Sequence, residues 1–210
     1  MSTFASDTFT GTGNLDAHTP DVGGGTWTKW VGDTMTIGGG VCGSDGGEGD
    51  YYNSTAPGNA DETVSADLIV TSNNNYAGLL ARFVDSSNYY GAGYDNGNGW
   101  WEVFKVVGGS FTRIGSASAT LTVSSTYAMA FSVIGTTLTL KIGGVTTVGP
   151  LTDSGVSGAG HCGLYSASNR GVNGYQMDNW VAADSTGGAA TKLPVRNRRP
   201  TRVWLRRVYA

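Results

Sequence analysis

Between Thr63 and Thr71 apolar and polar positions alternate: Val64, Ala66, Leu68 and Val70 fall on one face, with Ser65, Asp67 and Ile69 on the other. Successive side chains of a strand point to opposite sides of a sheet, so this period specifies a half-buried β-strand and excludes an amphipathic helix. Leu79, Ala81 and Phe83 repeat the pattern within residues 77–85, placing Arg82 on the opposite face. Met129, Phe131 and Val133 repeat it again, and Leu138, Leu140 and Ile142 follow across the turn Ile134-Gly-Thr-Thr137, which predicts a hairpin with Thr139 and Lys141 facing out. Further strands are expected over 26–31, 34–37, 89–94, 100–107, 111–116, 163–167 and 175–182. The turns between them carry strong chemistry, as in Asp95-Asn-Gly-Asn-Gly99, Gly108-Gly109 and Gly143-Gly144. Glycine supplies 34 of the 210 residues, and this suits tight turns that demand positive φ. No ten-residue stretch has a 3.6 period, so the expected fold class is all-β, a two-sheet antiparallel sandwich.

A chain of 210 residues ordinarily forms one such domain, expected here over residues 1–184. Ser185-Thr-Gly-Gly-Ala-Ala-Thr191 reads as a flexible linker, and residues 192–210 as a basic C-terminal tail. That tail holds seven of the thirteen Lys+Arg and no Asp or Glu, so it carries +7 against −10 for the rest of the chain. Charge asymmetry of this kind marks an interaction segment. Arg196, Arg198, Arg199, Arg202, Trp204, Arg206, Arg207 and Tyr209 are the candidate partner-binding residues. Val195, Val203, Leu205 and Val208 give the tail more apolar content than a solvated basic arm, favouring a protein partner, by strand addition and Arg–carboxylate pairing, over nucleic acid. No run approaches the ~18 apolar residues of a membrane span, and Met1-Ser-Thr-Phe-Ala-Ser-Asp7 lacks the basic and apolar regions of a secretory signal. Cys42 and Cys162, 120 residues apart without a CxxC, are expected as buried free thiols, with one disulfide the alternative.

The chain offers little for catalysis. A retaining glycosidase needs two carboxyl groups ~5 Å apart. Glu48, Glu62 and Glu102 are the only glutamates, and no Glu-x-Asp-x-Glu arrangement includes them. Asp61 and Glu62 are adjacent, so on a strand they face opposite ways. No Gly-x-Ser-x-Gly elbow accompanies His18 or His161. The expectation is a protein without enzymatic activity.

Binding chemistry is better represented. Aromatic residues cluster at Tyr51-Tyr52, Tyr76, Tyr89-Tyr90, Tyr94 and Trp100-Trp101, beside Asn73-Asn-Asn75 and Asp95-Asn-Gly-Asn98. A sugar presents an apolar face that stacks on such rings and hydroxyls that Asn and Asp satisfy. Arg82, Tyr90, Asp95, Asn98 and Trp100 are the candidate glycan-binding residues, although one residue of each aromatic doublet must point into the core. In the glycine-rich loop Gly43-Ser-Asp-Gly-Gly-Glu-Gly-Asp50, the oxygens of Asp45, Glu48 and Asp50 form a candidate calcium site; no other cofactor is expected.

The order of these pieces resembles the concanavalin A-like, laminin G-like jelly roll. The resemblance runs over about residues 5–184 and is carried by Asp7-Thr-Phe-Thr10, Trp27 after Gly23-Gly-Gly25, Gly78-Leu-Leu-Ala-Arg-Phe-Val-Asp85 leading into Asn88-Tyr-Tyr90, Phe104-Lys-Val-Val-Gly-Gly109, Gly163-Leu-Tyr-Ser166 and Met177-Asp-Asn-Trp-Val181. It implies a class that includes lectins, glycan-binding modules, glucanases and adhesive domains of viral and bacterial surface proteins, among which fold alone does not choose. Joined to the basic tail and the missing leader, it points to a structural or adhesive protein of a phage virion, a decoration or tail-associated protein attached through residues 192–210 and made in the host cytoplasm. The alternative is an extracellular carbohydrate-binding, lectin-like module or a divergent glycoside hydrolase. Open sheet edges also permit homo-oligomers.

Overall fold

The structure is a computed structural model that describes residues 1–44, 46–73, 75–167 and 175–185. Residues 186–191 of the expected linker and the whole tail, 192–210, lie outside the described residues, as does Asp45.

Sixteen strands are described: β1 (Ser2–Asp7), β2 (Gly13–Asn14), β3 (Trp27–Gly32), β4 (Met35–Gly38), β5 (Val41–Ser44), β6 (Gly49–Asn53), β7 (Glu62–Val70), β8 (Tyr76–Asp85), β9 (Asn88–Asp95), β10 (Trp100–Val107), β11 (Ser110–Ser118), β12 (Thr126–Ile134), β13 (Thr137–Ile142), β14 (Val145–Thr152), β15 (His161–Ser166) and β16 (Tyr175–Asp184). Among the described residues the only helical turn is a 3-10 turn, Leu15–Ala17. One sheet runs β14-β13-β12-β7-β16-β5-β4-β2, with β1 added to β16; the other runs β11-β10-β9-β8-β15-β6-β3. Every ladder is antiparallel, and the first strand pairs with the last through Ser2 opposite Asp184 and Asp7 opposite Trp180. The expected two-sheet sandwich is the fold.

The two sheets meet over one apolar core. Val64, Leu68, Met129, Phe131, Leu138, Leu140, Met177 and Trp180 come from the nine-stranded sheet, facing Trp27, Tyr51, Leu79, Tyr90, Ala92, Trp101 and Leu164 of the seven-stranded one. Strand β7 keeps the alternation its sequence announces, buried and half-buried by turns. Strands β8 and β9 do not: Ala77 through Phe83 and Tyr89 through Tyr94 are buried on both faces. The outer face of the seven-stranded sheet is covered by its own aromatic side chains. A second apolar cluster of Leu80, Phe83, Tyr89, Phe104, Val106 and Tyr165 lies there, flanked by Trp30, Tyr52 and Tyr76.

Two features depart from the sequence reading. The acidic stretch expected as one loop over 43–50 is strand at both of its ends, since β5 runs to Ser44 and β6 starts at Gly49. Gly49 sits in a strand because a Cβ there would meet the Asp33 carbonyl oxygen at 2.7 Å, a backbone approach that only glycine allows. Strand β14 was not expected; it is the mostly exposed edge of its sheet, where Pro150 is tolerated because its nitrogen owes no ladder bond. Both cysteines are buried thiols not joined in a disulfide, and the Cys162 thiol donates to Glu62 Oε2 at 2.7 Å.

Candidate functional site

Strand register builds a groove on the outer face of the seven-stranded sheet. Asp50 of β6 stands opposite Tyr165 of β15, Tyr165 opposite Gly78 of β8, Gly78 opposite Gly93 of β9, and Gly93 opposite Glu102 of β10. This single row across five strands has a carboxyl group at each end and two glycines in the middle. A Cβ at Gly78 or at Gly93 would meet the Tyr165 hydroxyl at 2.6 Å, so the glycines leave the space in which the phenol lies over the sheet. In the next row Gly91 does the same for Phe104, whose ring a Cβ would meet at 2.2 Å. Glycine within these strands therefore marks ring-on-backbone packing rather than weak strand character.

The resulting groove encloses ≈ 250 Å³. Tyr76, Tyr89, Phe104, Phe111 and Tyr165 supply its rings, and Glu48, Asp50, Asp95, Glu102 and Arg113 its charges. Phe104 packs edge-on against Tyr165 with centroids 5.8 Å apart and tilted against Phe111 at 5.0 Å, so the rings form a continuous surface. Phe111 is 56% exposed, an apolar side chain offered to solvent at the groove margin. At the other flank Arg113 lies 4.4 Å over the Trp100 ring, a cation–π contact. Its Nε donates to Glu102 Oε2 at 2.5 Å, and its Nη2 lies 3.9 Å from Asp95 Oδ2.

Burial governs the acid chemistry. Asp50 is 5% exposed, and desolvation, reinforced by the Glu48 charge, pushes its carboxyl up to about 8. Its Oδ1 is a buried acceptor without a hydrogen-bond partner among the described residues. Burial and then the neighbouring carboxylates Asp50 and Glu48 push the Tyr89 phenol up to about 12. Tyr76 is raised further, by burial first and then by the Glu48 charge and a hydrogen bond with Glu48, and Tyr165 is raised by burial with Glu102 and Asp50 nearby.

The residues singled out from the sequence are divided by this geometry. Asp95 lines the groove, and Asn98 braces it by donating from Nδ2 to Asp95 Oδ2 at 2.5 Å. Trp100 lies beneath Arg113 on the same flank. Tyr90 is on the opposite face, fully buried in the core, where its hydroxyl donates to Asp153 Oδ1 at 2.7 Å and accepts from the Val156 amide at 3.0 Å. Arg82 is also remote from the groove: 4% exposed, it sits at φ 46 where β8 bulges. Its guanidinium donates to the carbonyls of Ala60 at 2.9 Å, Val156 at 3.1 Å and Gly135 at 2.9 Å, tying three loops together. Glu48 and Asp50, two of the three expected calcium ligands, line the groove, and Asp45, the third, lies outside the described residues; among the described residues no group of three or more His, Cys, Asp or Glu is placed to hold a metal ion.

Tyr76, Tyr89, Phe104, Phe111, Arg113 and Tyr165 were not singled out as binding residues by the sequence reading, yet the phase of β9 was within reach of it. A two-residue turn, Ser86-Ser87, joins Asp85 to Asn88 across the hairpin. That turn carries the inward phase of Leu79 and Ala81 onto Tyr90, Ala92 and Tyr94, leaving Tyr89, Gly91, Gly93 and Asp95 outward.

No protein-family model and no curated protein matches the sequence. Solved structures do match in fold. A carbohydrate-binding module, CBM66 from Bacillus subtilis, superposes with a TM-score of 0.57 over 76% of this chain and 91% of its own, at 18% identity. The exoplasmic/lumenal domain of VIP36 in a Ca²⁺-bound form gives 0.60 over 82% and 88% at 10% identity. The GH43 protein BlXynB from Bacillus licheniformis gives 0.59 at 11% identity, over 86% of this chain but 39% of its own. The fold is a concanavalin A-like jelly roll. Structures this distant in sequence share the architecture alone, and activity has to be argued from the site.

Proposed function

We propose that the protein is a carbohydrate-binding module that holds one or two rings of a glycan in the aromatic groove of the seven-stranded sheet, without hydrolysing it. The observation that carries this reading is the outward cluster of Tyr76, Tyr89, Phe104, Phe111 and Tyr165 with carboxyl groups and Arg113 among the rings. Stacking faces beside hydrogen-bonding groups are what a sugar requires. The groove volume, ≈ 250 Å³, lies just under the ~300–1,000 Å³ of clefts for drug-sized ligands and suits a short segment of a longer chain. The carbohydrate-binding module CBM66 and the VIP36 exoplasmic/lumenal domain in its Ca²⁺/Man3GlcNAc-bound form share the fold and support the reading.

The placement of Glu102 argues against a hydrolytic pair with Asp50 or with Asp95. Asp50, whose raised pKa would suit a general acid, stands four strand spacings from Glu102, about 19 Å between Cα atoms at ordinary spacing. Glycosidase carboxyl pairs lie ~5–9.5 Å apart. Glu102 and Asp95 both face Arg113, which holds their oxygens in an ion-paired cluster.

A glycan array probed with the full chain tests this. Binding to a defined set of oligosaccharides that weakens about tenfold or more in Phe111→Ala and Tyr76→Ala, without release of reducing ends, is the expected result. Absence of binding across the array, or binding untouched by both substitutions, would overturn the proposal. The segregated tail charge, +7 without a carboxylate, favours a second, compatible role: display of this module on a larger assembly such as a phage virion, through residues 192–210. Deleting those residues then leaves glycan binding intact and abolishes incorporation, and retained incorporation would defeat the display role.

A further inference from the structure

The charge of the groove is one-sided. Four carboxyl groups, Glu48, Asp50, Asp95 and Glu102, line it against one guanidinium. That guanidinium, Arg113, already faces Glu102 at 2.5 Å and Asp95 at 3.9 Å. On the β6 side, Glu48 and Asp50 form no ion pair with any described residue. A separate observation points to a missing donor there: the Asp50 Oδ1 atom is buried and has no hydrogen-bond partner among the described residues. Buried polar atoms are almost always paired, so an orphaned acceptor in a groove is a place for a ligand's hydrogen. Around it stand the rings of Tyr76, Tyr89 and Tyr165, whose electron-rich faces attract positive charge.

A neutral hydroxyl could satisfy the acceptor but would leave the surplus of carboxylates unbalanced, and a uronate would add to it. An ammonium group supplies three donors and a compensating charge, in surroundings where charge is weakly screened. We propose that the groove selects glycans carrying an unacylated amino sugar, with the ammonium group held by the Asp50 and Glu48 carboxylates and the tyrosine rings beside them. The inference rests on the glycan-binding reading and adds the substrate class. Because burial holds the empty Asp50 carboxyl up to about 8, an arriving ammonium displaces its proton, and binding near neutral pH releases protons to the buffer.

Calorimetric titration of the full chain with four disaccharides tests this: unacylated glucosamine dimer, its N-acetylated counterpart, a glucose dimer and a glucuronate-containing dimer. The conditions are about pH 6.5, where the amine is protonated, and about 0.15 M salt, which screens general attraction to an acidic protein. The expected result is that the glucosamine dimer binds about tenfold more tightly than its acetylated counterpart, the glucuronate dimer binds worst, and the heat depends on the ionisation enthalpy of the buffer. In Asp50→Asn, whose fold is checked by its melting curve, the ratio of the first two affinities falls toward one; Glu48→Gln, on an exposed residue, lowers the same ratio and serves if Asp50→Asn does not fold. Equal or better binding of the acetylated or glucose dimer overturns the selection of amines while leaving glycan binding standing. A ratio unchanged in both variants overturns the assignment to these carboxylates. Nα-acetyl-lysine amide binding as tightly as the glucosamine dimer overturns the sugar component, and no binding by any sugar overturns this inference and the glycan-binding reading together.

Discussion

Replacing Arg82 with methionine separates what holds this fold from what it binds. The side chain is 4% exposed, and its three guanidinium nitrogens donate to the carbonyls of Ala60, Val156 and Gly135, which belong to three different loops. Asp61 contributes an ion-pair contact at 3.7 Å while accepting from the Gly135 amide at 2.7 Å, so the same guanidinium steadies a fourth group. A hydrogen bond to a charged donor contributes about 1.5–3 kcal/mol, and some of the sum is offset by the cost of keeping the guanidinium out of water. Methionine retains most of the apolar stem but leaves three carbonyls short of a donor, so the expected loss is about 3–5 kcal/mol. For a chain of 210 residues at about 2–4 °C per kcal/mol, the melting midpoint falls by about 6–20 °C. Urea denaturation gives the free energy directly, and glycan affinity of the folded variant at low temperature changes less than about twofold, because Arg82 does not line the groove. A loss below about 1 kcal/mol, or full stability with abolished binding, would refute this reasoning.

Two further outcomes follow from named groups. Tyr90→Phe removes a buried hydroxyl that donates to Asp153 and accepts from the Val156 amide; unfolding free energy drops by about 1–3 kcal/mol in a urea titration while glycan affinity is retained, and lost affinity at unchanged stability would contradict it. Asp50 and Glu62 are pushed up by burial to about 8 and about 7, so between their ordinary values and these the folded state holds more protons than the unfolded chain, and stability falls as pH rises from about 5 to about 8. Asp50→Asn removes its share of that fall, at most about 1.4 kcal/mol per pH unit. The variant's advantage over the parent therefore grows as pH rises from about 5 to about 8 in denaturation midpoints, and an advantage that does not grow would contradict the buried placement.

Alternation along Val64 to Val70 and Met129 to Leu140 made the sandwich legible, because those strands have one wet face. The groove strands hid their phase for the opposite reason. With aromatic or glycine residues facing out and Tyr90, Ala92 and Tyr94 facing in, β9 shows no polar side, and each doublet offers two equally apolar candidates. The choice of Tyr90 took the inward member of its pair, whereas Asp95 lines the groove and Asn98 and Trp100 stand beside it. Alternation sets Arg82 on the face opposite Leu79 and Ala81, and the bulge in β8 turns it to the loops rather than to the groove. Glu48 and Asp50 were picked for their oxygens, and the pairing of Asp50 with Tyr165 is what places Asp50 in the outward row of the groove.

The most direct test of the groove is a heteronuclear NMR titration of the 21.7 kDa chain with an oligosaccharide chosen from the array. Shifts concentrated at Asp50, Tyr76, Glu102, Phe111, Arg113 and Tyr165 are predicted, saturating with the calorimetric affinity. Shifts confined to the outer face of β7, β12 and β13, with the groove unmoved, would contradict the account.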